Sequence, residues 1–187
     1  MDPKPKIIIL NGVSSVGKST LAKAVQAASR LPFLHVSLDA FLAMIPARLF
    51  DHPDGITFRT LKADGPSVTE VITGPVADRM LQGIPSTVAA LAKAGNNVIV
   101  DDVFFRGGER QGYSGALADF DVAFVGLFAP LETIEARERA RGDRNIGLAR
   151  WQFDRVHAGQ SYDLEIDTSE KSTAESARIL CKALEII

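Results

Sequence analysis

The feature that most constrains the fold of this chain is the run Gly12-Val13-Ser14-Ser15-Val16-Gly17-Lys18-Ser19. It has the pattern G-x-x-x-x-G-K-S, in which glycines let backbone N–H groups curl around phosphate oxygens. The apolar residues 7–10 before it predict a buried strand, and residues 20–25 after it predict the start of a helix. The N-terminus of that helix adds a partial positive charge. We therefore expect a site for a nucleoside triphosphate; a simple strand–helix turn is the alternative.

Each residue type in this run has its own expected contact. Lys18 is expected to reach the β- and γ-phosphates and to act in catalysis, and the Ser19 hydroxyl is expected to bind Mg²⁺. The remaining nucleotide contacts are expected from Gly12 to Thr20. ATP and Mg²⁺ are therefore the expected cofactors.

Apolar runs that alternate with helical patterns predict the fold class. We expect strands at residues 6–10, 34–38, 98–100, 121–128 and 164–167. Helices are expected from the glycine loop to residue 28, and over residues 74–93, 131–142, 149–156 and 173–187. Residues 51–65 are rich in Pro, Gly and Asp and predict a loop or a weak hairpin. The pattern favours an α/β fold, a three-layer parallel sheet with helices on both faces, as one P-loop domain over residues 1–187.

Composition excludes several classes of function. The 187 residues are 46% hydrophobic, which is enough for the core of one domain. The net charge of −2 and the absence of a basic run predict neither a nucleic-acid partner nor a membrane partner. Cys181 is the single cysteine, so no disulfide forms within the chain. Because the first residues lead straight into a strand and no apolar run has the length of a membrane span, we expect a cytoplasmic protein.

Acidic residues follow two of the predicted strands, at the edge where parallel sheets bind ligands. Asp39 follows the second strand, where a carboxylate faces an acceptor and takes the proton of its hydroxyl; a helix N-cap is the other interpretation. Asp101 and Asp102 end the strand at 98–100 and are candidate Mg²⁺ ligands, with a polar turn as the alternative. Adjacent strand residues point opposite ways, so one of the two is expected to face the nucleotide.

A stretch rich in arginine follows the strand at 121–128. At helical spacing Arg137, Arg141 and Arg144 share one face, from which guanidinium groups can stabilise a triphosphate. We therefore expect a helical lid at about residues 131–150, with Arg141 acting in catalysis. A solvated face held by a Glu135–Arg139 pair is the alternative.

Polar residues near the C-terminus are less informative. His157 is expected to be structural or exposed, because nothing in the pattern requires a histidine base. Residues 167–169 either cap the last helix or lie beside the adenine.

The residues together resemble the chloramphenicol phosphotransferase family, small P-loop kinases that phosphorylate an alcohol on the antibiotic. The resemblance lies in residues 9–19, in Asp39 with residues 44–46, in residues 94–95 and 99–104, and in residues 140–144 and 157–168. It implies transfer of the γ-phosphoryl group from ATP to a hydroxyl of a small-molecule alcohol. In this family Asp39 matches the general base, and Lys18 and Ser19 match the nucleotide and magnesium contacts. Residues 47–74 are expected to line the acceptor pocket, with chloramphenicol as a candidate acceptor.

Other functions remain open at this stage. A metabolite kinase of shikimate or gluconate type shares the fold and the lid. A regulatory module that binds nucleotide and hydrolyses it slowly is a different class, although no Asn-Lys-x-Asp string for GTP is present. A kinase of nucleic-acid ends needs a basic groove, which the net charge does not support.

Overall fold

A computed structural model describes residues 4–61, 65–142 and 145–187 of the chain. The strands are β1 (Lys6–Asn11), β2 (Phe33–Ser37), β3 (Ile56–Leu61), β4 (Val68–Thr73), β5 (Asn97–Asp102), β6 (Asp121–Phe128) and β7 (Leu164–Asp167). The α-helices are α1 (Lys18–Ala28), α2 (Leu38–Leu42), α3 (Pro75–Lys93), α4 (Glu109–Ala116), α5 (Leu131–Arg141), α6 (Leu148–Phe153) and α7 (Thr173–Ala183). Within these described ranges no helix has the length and apolar character needed to cross a bilayer.

Five strands form a parallel sheet in the order β2-β5-β1-β6-β7. This confirms the predicted parallel sheet. Strand β1 lies at its centre, and its last residue, Asn11, is in register with Asp102 of β5 and Gly126 of β6. The loop after β1 therefore emerges at the middle of the edge where ligands bind in such sheets.

Alternate residues of β1 enter two separate cores. Ile8 and Leu10 pack in the core that includes residues of α1 and α7. Ile7 and Ile9 pack in the core that includes residues of α3 and α4. Because successive strand residues point to opposite faces, the continuous apolar run is buried on both sides. Helices cover both faces of the sheet, as the pattern predicts.

Residues 51–65 were predicted to form a loop or a weak hairpin, and the structure has the hairpin. Strand β3, within this range, pairs antiparallel with β4 beyond it, with Ile56 opposite Thr73 and Leu61 opposite Val68. The pattern of residues 68–73 is half polar, so only its pairing with β3 identifies β4 as a strand. The second predicted strand ends at Ser37, because Leu38 already belongs to α2.

Helix α4 was not predicted from the sequence, in which a polar turn after Asp102 is only the alternative interpretation. Gly107 and Gly108 do form a turn, with φ of 81° and 91°. These left-handed values are open to glycine at little cost, and Gly108 directly precedes the helix. The turn and the helix are thus consecutive, and the two glycines give no signal that a helix begins after them.

Candidate active site

The loop between β1 and α1 depends on its two glycines. Gly17 has φ of 111°, which favours glycine, and a Cβ on Gly12 would lie 2.8 Å from the Leu127 carbonyl oxygen. Ser15 also has a positive φ, of 65°, and its Oγ is buried with no hydrogen-bond partner among the described residues. Residues 14–20 line a cavity of about 860 Å³. A strained serine with an unpaired hydroxyl beside such a cavity favours contact with a ligand.

The Lys18 ammonium group lies inside this loop. Its Nζ donates hydrogen bonds to the carbonyl oxygens of Gly12 (2.9 Å) and Val13 (3.0 Å). It also lies 3.8 Å from the Asp101 carboxylate, and the side chain is only 7% exposed. A buried cation held at the base of a curled loop is suited to bind an anion there.

Asp101 faces the same loop. The Ser19 hydroxyl donates a hydrogen bond to Asp101 Oδ2, and His35 Nε2 lies 3.8 Å from that oxygen. Burial by itself raises the pKa of Asp101, but the Lys18 charge, the neighbouring His35 ring and the hydrogen bond from Ser19 hold that pKa below its ordinary value. The group is therefore a carboxylate at neutral pH. His35 was missed by sequence reasoning, although it pairs with Ile99, two residues before Asp101, on the neighbouring strand.

The oxygens of Ser19 and Asp101 fit a magnesium ion. Both are hard donors, and Mg²⁺ commonly takes one or two protein ligands together with phosphates and waters. In the described ranges, no group of three or more His, Cys, Asp or Glu side chains is placed to hold a metal.

Asp102 lies in different surroundings from Asp101, as alternation along β5 requires. Its carboxylate accepts hydrogen bonds from the Tyr113 hydroxyl (2.7 Å) and from the Val103 amide (2.7 Å). Burial raises the pKa of Asp102, and burial beside Asp102 raises the pKa of Tyr113. Because both oxygens are engaged on the α4 side of the strand, we remove Asp102 from the expected magnesium ligands.

Asp39 lies in the first turn of α2 and is exposed to the cavity that the loop lines. The cap of this helix is Ser37, whose Oγ accepts a hydrogen bond from the Ala40 amide at 3.2 Å. The N-cap interpretation of Asp39 is therefore wrong. The structure brings Asp39 and Lys18 to the walls of one cavity.

The cavity wall around Asp39 is mostly apolar. The side chains come from α2, the β3–β4 hairpin, α3, the end of β5 and α6: Leu38, Leu42, Ile56, Phe58, Val71, Leu81, Val103, Phe105 and Leu148. Three of them lie within the expected range of residues 47–74, and Leu38 and Leu42 are neighbours of Asp39 in α2. The remaining four, Leu81, Val103, Phe105 and Leu148, come from distant parts of the chain, and only the fold brings them to the cavity.

Helices α5 and α6 occupy the predicted lid segment. Arg137 donates hydrogen bonds to the carbonyl oxygens of Val16 (3.1 Å) and Thr168 (2.8 Å), so it joins the loop to the end of β7. Arg141 lines the cavity, whereas Arg144 lies outside the described residues. Glu135 forms an ion pair with Arg150 of α6 at 2.6 Å.

Two buried polar residues of this segment were missed. Glu138 is 1% exposed, and its two oxygens accept hydrogen bonds from the amides of Gly147 and Ala149, each at 2.8 Å. Gln152 Oε1 accepts a hydrogen bond from the Ser14 amide at 2.6 Å. Thus α5 holds the start of α6, and α6 holds the phosphate loop. A glutamate in a charged helix gives no sequence signal of such burial.

Residues 167–169 do not cap the last helix. Ser172 caps α7 in a reciprocal pair with Glu175, so the cap interpretation is wrong. Thr168 Oγ1 instead donates a hydrogen bond to the Val16 carbonyl oxygen at 2.7 Å. Thr168, Lys171 and the buried Ser176 also line the cavity.

His157 belongs to a structural network behind the loop. Its Nδ1 shares a hydrogen bond of 2.8 Å with the Tyr162 hydroxyl, which in turn accepts one from Asn11 Nδ2 at 2.7 Å. The imidazole stacks on Phe128 with ring centres 4.0 Å apart. Burial lowers the pKa of His157 to about 4, so the ring is neutral at pH 7.

The central phosphate loop, the parallel sheet and the helices above the loop define a P-loop kinase fold. The chain is similar to the APS kinase CysC of Mycobacterium tuberculosis, solved with AMPPNP and APS, with a TM-score of 0.67 and 20% identity over 98% of this chain and 99% of that one. It is also similar to a sugar kinase from Janibacter sp. HTCC2649, with a TM-score of 0.65 and 19% identity over 98% and 96% of the two chains. At these identities the similarity concerns the fold alone.

Residues 5–185 match the family described as chloramphenicol phosphotransferase-like protein, and the chain belongs to this family. A relative named "Putative O-phosphotransferase" in two strains of Mycobacterium tuberculosis, CDC 1551 and H37Rv, is 34% identical over 186 residues. That match covers 95% of this chain and 81% of the relative. The resemblance predicted from the sequence is confirmed, and family and fold together support a small-molecule phosphotransferase.

Proposed function

We propose that this chain transfers the γ-phosphoryl group of ATP to the hydroxyl group of a small, largely apolar alcohol, with Mg²⁺ as cofactor. The observation that carries the proposal is the cavity of about 860 Å³, which joins the phosphate loop to Asp39 and to an apolar wall. Donor and acceptor can therefore meet within one continuous space. In this proposal the chain is a single domain, and residues 131–150 form the lid of the site.

The phosphate loop binds and orients the donor. Lys18 exchanges its contacts with the Gly12 and Val13 carbonyl oxygens for the β- and γ-phosphates. Ser19 and Asp101 would hold the magnesium ion, which when bound neutralises charge on the phosphates. Arg137 and Arg141 stand at the lid side of the cavity, where guanidinium groups stabilise charge that develops during transfer.

Asp39 prepares the acceptor. Its carboxylate accepts a hydrogen bond from the acceptor hydroxyl and takes the proton as the new O–P bond forms and the bond to the leaving ADP oxygen breaks. Its exposure to the cavity leaves room for a bound alcohol. Positioning and charge stabilisation do most of the remaining work in such transfers.

The apolar wall determines the class of acceptor. A carboxylate such as those of shikimate or gluconate is disfavoured against Leu42, Phe58 and Val71, although Lys23, Arg141 and Lys171 also line the cavity. An aryl or alkyl alcohol buries its hydrocarbon part against this apolar wall while its hydroxyl group reaches Asp39. Chloramphenicol has this character and is the first acceptor to test.

The test is an ATP-consumption assay with Mg²⁺, in the presence and absence of chloramphenicol and of a panel of aryl alcohols, sugars and gluconate. We expect turnover that depends on an apolar alcohol and is absent from Lys18→Ala. Turnover with gluconate alone would favour the metabolite kinase. Turnover that no acceptor stimulates would favour a slowly hydrolysing module and contradict the proposal.

A further inference from the structure

One residue of the phosphate loop has a backbone conformation that needs support from outside the loop. Ser15 has φ of 65°, in the left-handed region that a residue with a Cβ keeps only where the surrounding structure holds it. The φ and ψ angles of a residue set the relative directions of the two peptide groups that flank it. A change at Ser15 therefore redirects backbone N–H groups of the loop, which are the groups that cradle phosphate oxygens.

Two side chains from distant parts of the chain hold the loop on either side of Ser15. On one side, the Ser14 amide donates a hydrogen bond to Gln152 Oε1 at 2.6 Å. On the other side, the Val16 carbonyl oxygen accepts a hydrogen bond from Thr168 Oγ1 at 2.7 Å. The chain is thus held immediately before and immediately after the strained residue.

Gln152 is itself fixed by the fold. It lies in α6 and is only 4% exposed. The start of this helix is held from α5, since Glu138 accepts hydrogen bonds from the amides of Gly147 and Ala149. It is also held from β4, where the Thr69 amide donates a hydrogen bond to the Gly147 carbonyl oxygen at 3.0 Å. The position of the Gln152 oxygen is therefore set by α5 and β4, and the loop adapts to it.

We propose that Gln152 is a positioning residue, which keeps Ser15 in its left-handed conformation and so holds the phosphate loop in the shape that binds the nucleotide. The inference rests on the proposed function, since that function assigns the loop to the phosphates of ATP. Gln152 acts through the Ser14 amide and takes no part in proton or phosphoryl transfer. Thr168 supports the same conformation through Val16.

The test is a calorimetric titration with AMPPNP and Mg²⁺, without an acceptor alcohol. Gln152→Leu is close in size to the wild type and removes the acceptor of the Ser14 amide. We expect its dissociation constant for AMPPNP to rise about fivefold or more, because Ser15 is no longer held in a costly conformation. Gln111→Leu, the same change at an exposed site in α4, is the matched control and should bind as the wild type does. Unchanged affinity in Gln152→Leu would overturn the proposal, and so would tighter binding, which would mean that Gln152 competes with the phosphates for the Ser14 amide.

Substitutions at residue 15 distinguish this positioning role from a general loss of stability. Glycine adopts a positive φ at little cost, whereas alanine does not. In the Ser15→Gly background we therefore expect Gln152→Leu to raise the dissociation constant by no more than about twofold. In the Ser15→Ala background, which also lacks the hydroxyl, the loss of about fivefold or more should remain. Equal losses in the two backgrounds would overturn the proposal.

Thr168→Val provides a second test if Gln152→Leu does not fold. It removes the hydroxyl that donates to the Val16 carbonyl oxygen, with little change in the size of the side chain. We expect it to weaken AMPPNP binding more in the Ser15→Ala background than in the Ser15→Gly background, and equal effects would overturn the proposal. Because the titration needs no acceptor, absent phosphoryl transfer with the expected affinities would refute the proposed function and leave the role of Gln152 standing.

Discussion

Removal of the Glu138 carboxylate is expected to destabilise the fold through the start of α6. Glu138 is buried in α5, and its oxygens accept hydrogen bonds from the amides of Gly147 and Ala149. In Glu138→Ala both N–H groups lose their acceptor, and no side chain of similar reach replaces it. Helix α6, which these bonds hold, carries Gln152, the partner of the Ser14 amide in the phosphate loop.

The size of the effect depends on the number of bonds lost. A hydrogen bond to a charged group contributes about 1.5–3 kcal/mol, so two such bonds correspond to about 3–6 kcal/mol. Alanine also removes the unfavourable burial of a charge, which offsets part of this loss. We therefore expect the free energy of unfolding to fall by about 3 kcal/mol, and Tm to fall by about 6–12 °C for a domain of this size.

The assay is urea unfolding followed by circular dichroism, with thermal melts in parallel. Glu132→Ala, an exposed acidic residue in the first turn of the same helix, is the control and should lose only about 0.3–1 kcal/mol. Faster hydrogen exchange at the Gly147 and Ala149 amides would locate the change. A loss in Glu138→Ala no larger than that of the control would refute the reasoning.

Three further perturbations test the site and its support. Asp39→Asn should keep the affinity for ATP and lower kcat by about 10²–10⁴, because it removes only the proton acceptor; equal loss of ATP binding in calorimetry would contradict this. Tyr113→Phe should destabilise the fold by about 1–3 kcal/mol in urea, since Asp102 loses a buried donor, and an unchanged midpoint would count against that role. The pKa of about 4 for His157 lies below its unfolded value of 6.5, so only the unfolded chain gains this proton between those pH values. Wild-type stability should therefore fall from pH 6.5 towards pH 4 more steeply than that of His157→Asn, and parallel curves in urea would refute the assignment.

The sequence predicts those parts of the site whose residues form a motif of near neighbours in the chain. The glycine loop is recognised by the spacing of its own residues, and Asp101 follows an apolar run, so both positions can be found without knowledge of the fold. The local pattern does not show which of Asp101 and Asp102 faces the nucleotide. Their environments depend on Ser19 on one side and Tyr113 on the other, which only the tertiary structure places there.

The parts that could not be predicted depend on contacts between distant residues. Glu138 has the sequence context of a solvated helix, yet the turn of chain before α6 buries it. Strand β4 is half polar and is defined by its partner β3. Glu109 follows a glycine turn, and no local pattern describes the cavity that it lines with residues of α3 and α4.

The most direct test of the central claim traces the γ-phosphate itself. ATP labelled in the γ-phosphate is incubated with Mg²⁺, the purified protein and chloramphenicol or the best aryl alcohol of the panel, and the label is then located by chromatography and mass spectrometry. We predict label in a phosphate ester of the alcohol for the wild type, and label left in ATP for Asp39→Asn. Label that appears only in inorganic phosphate, whichever alcohol is present, would contradict the assignment of this chain as a phosphotransferase.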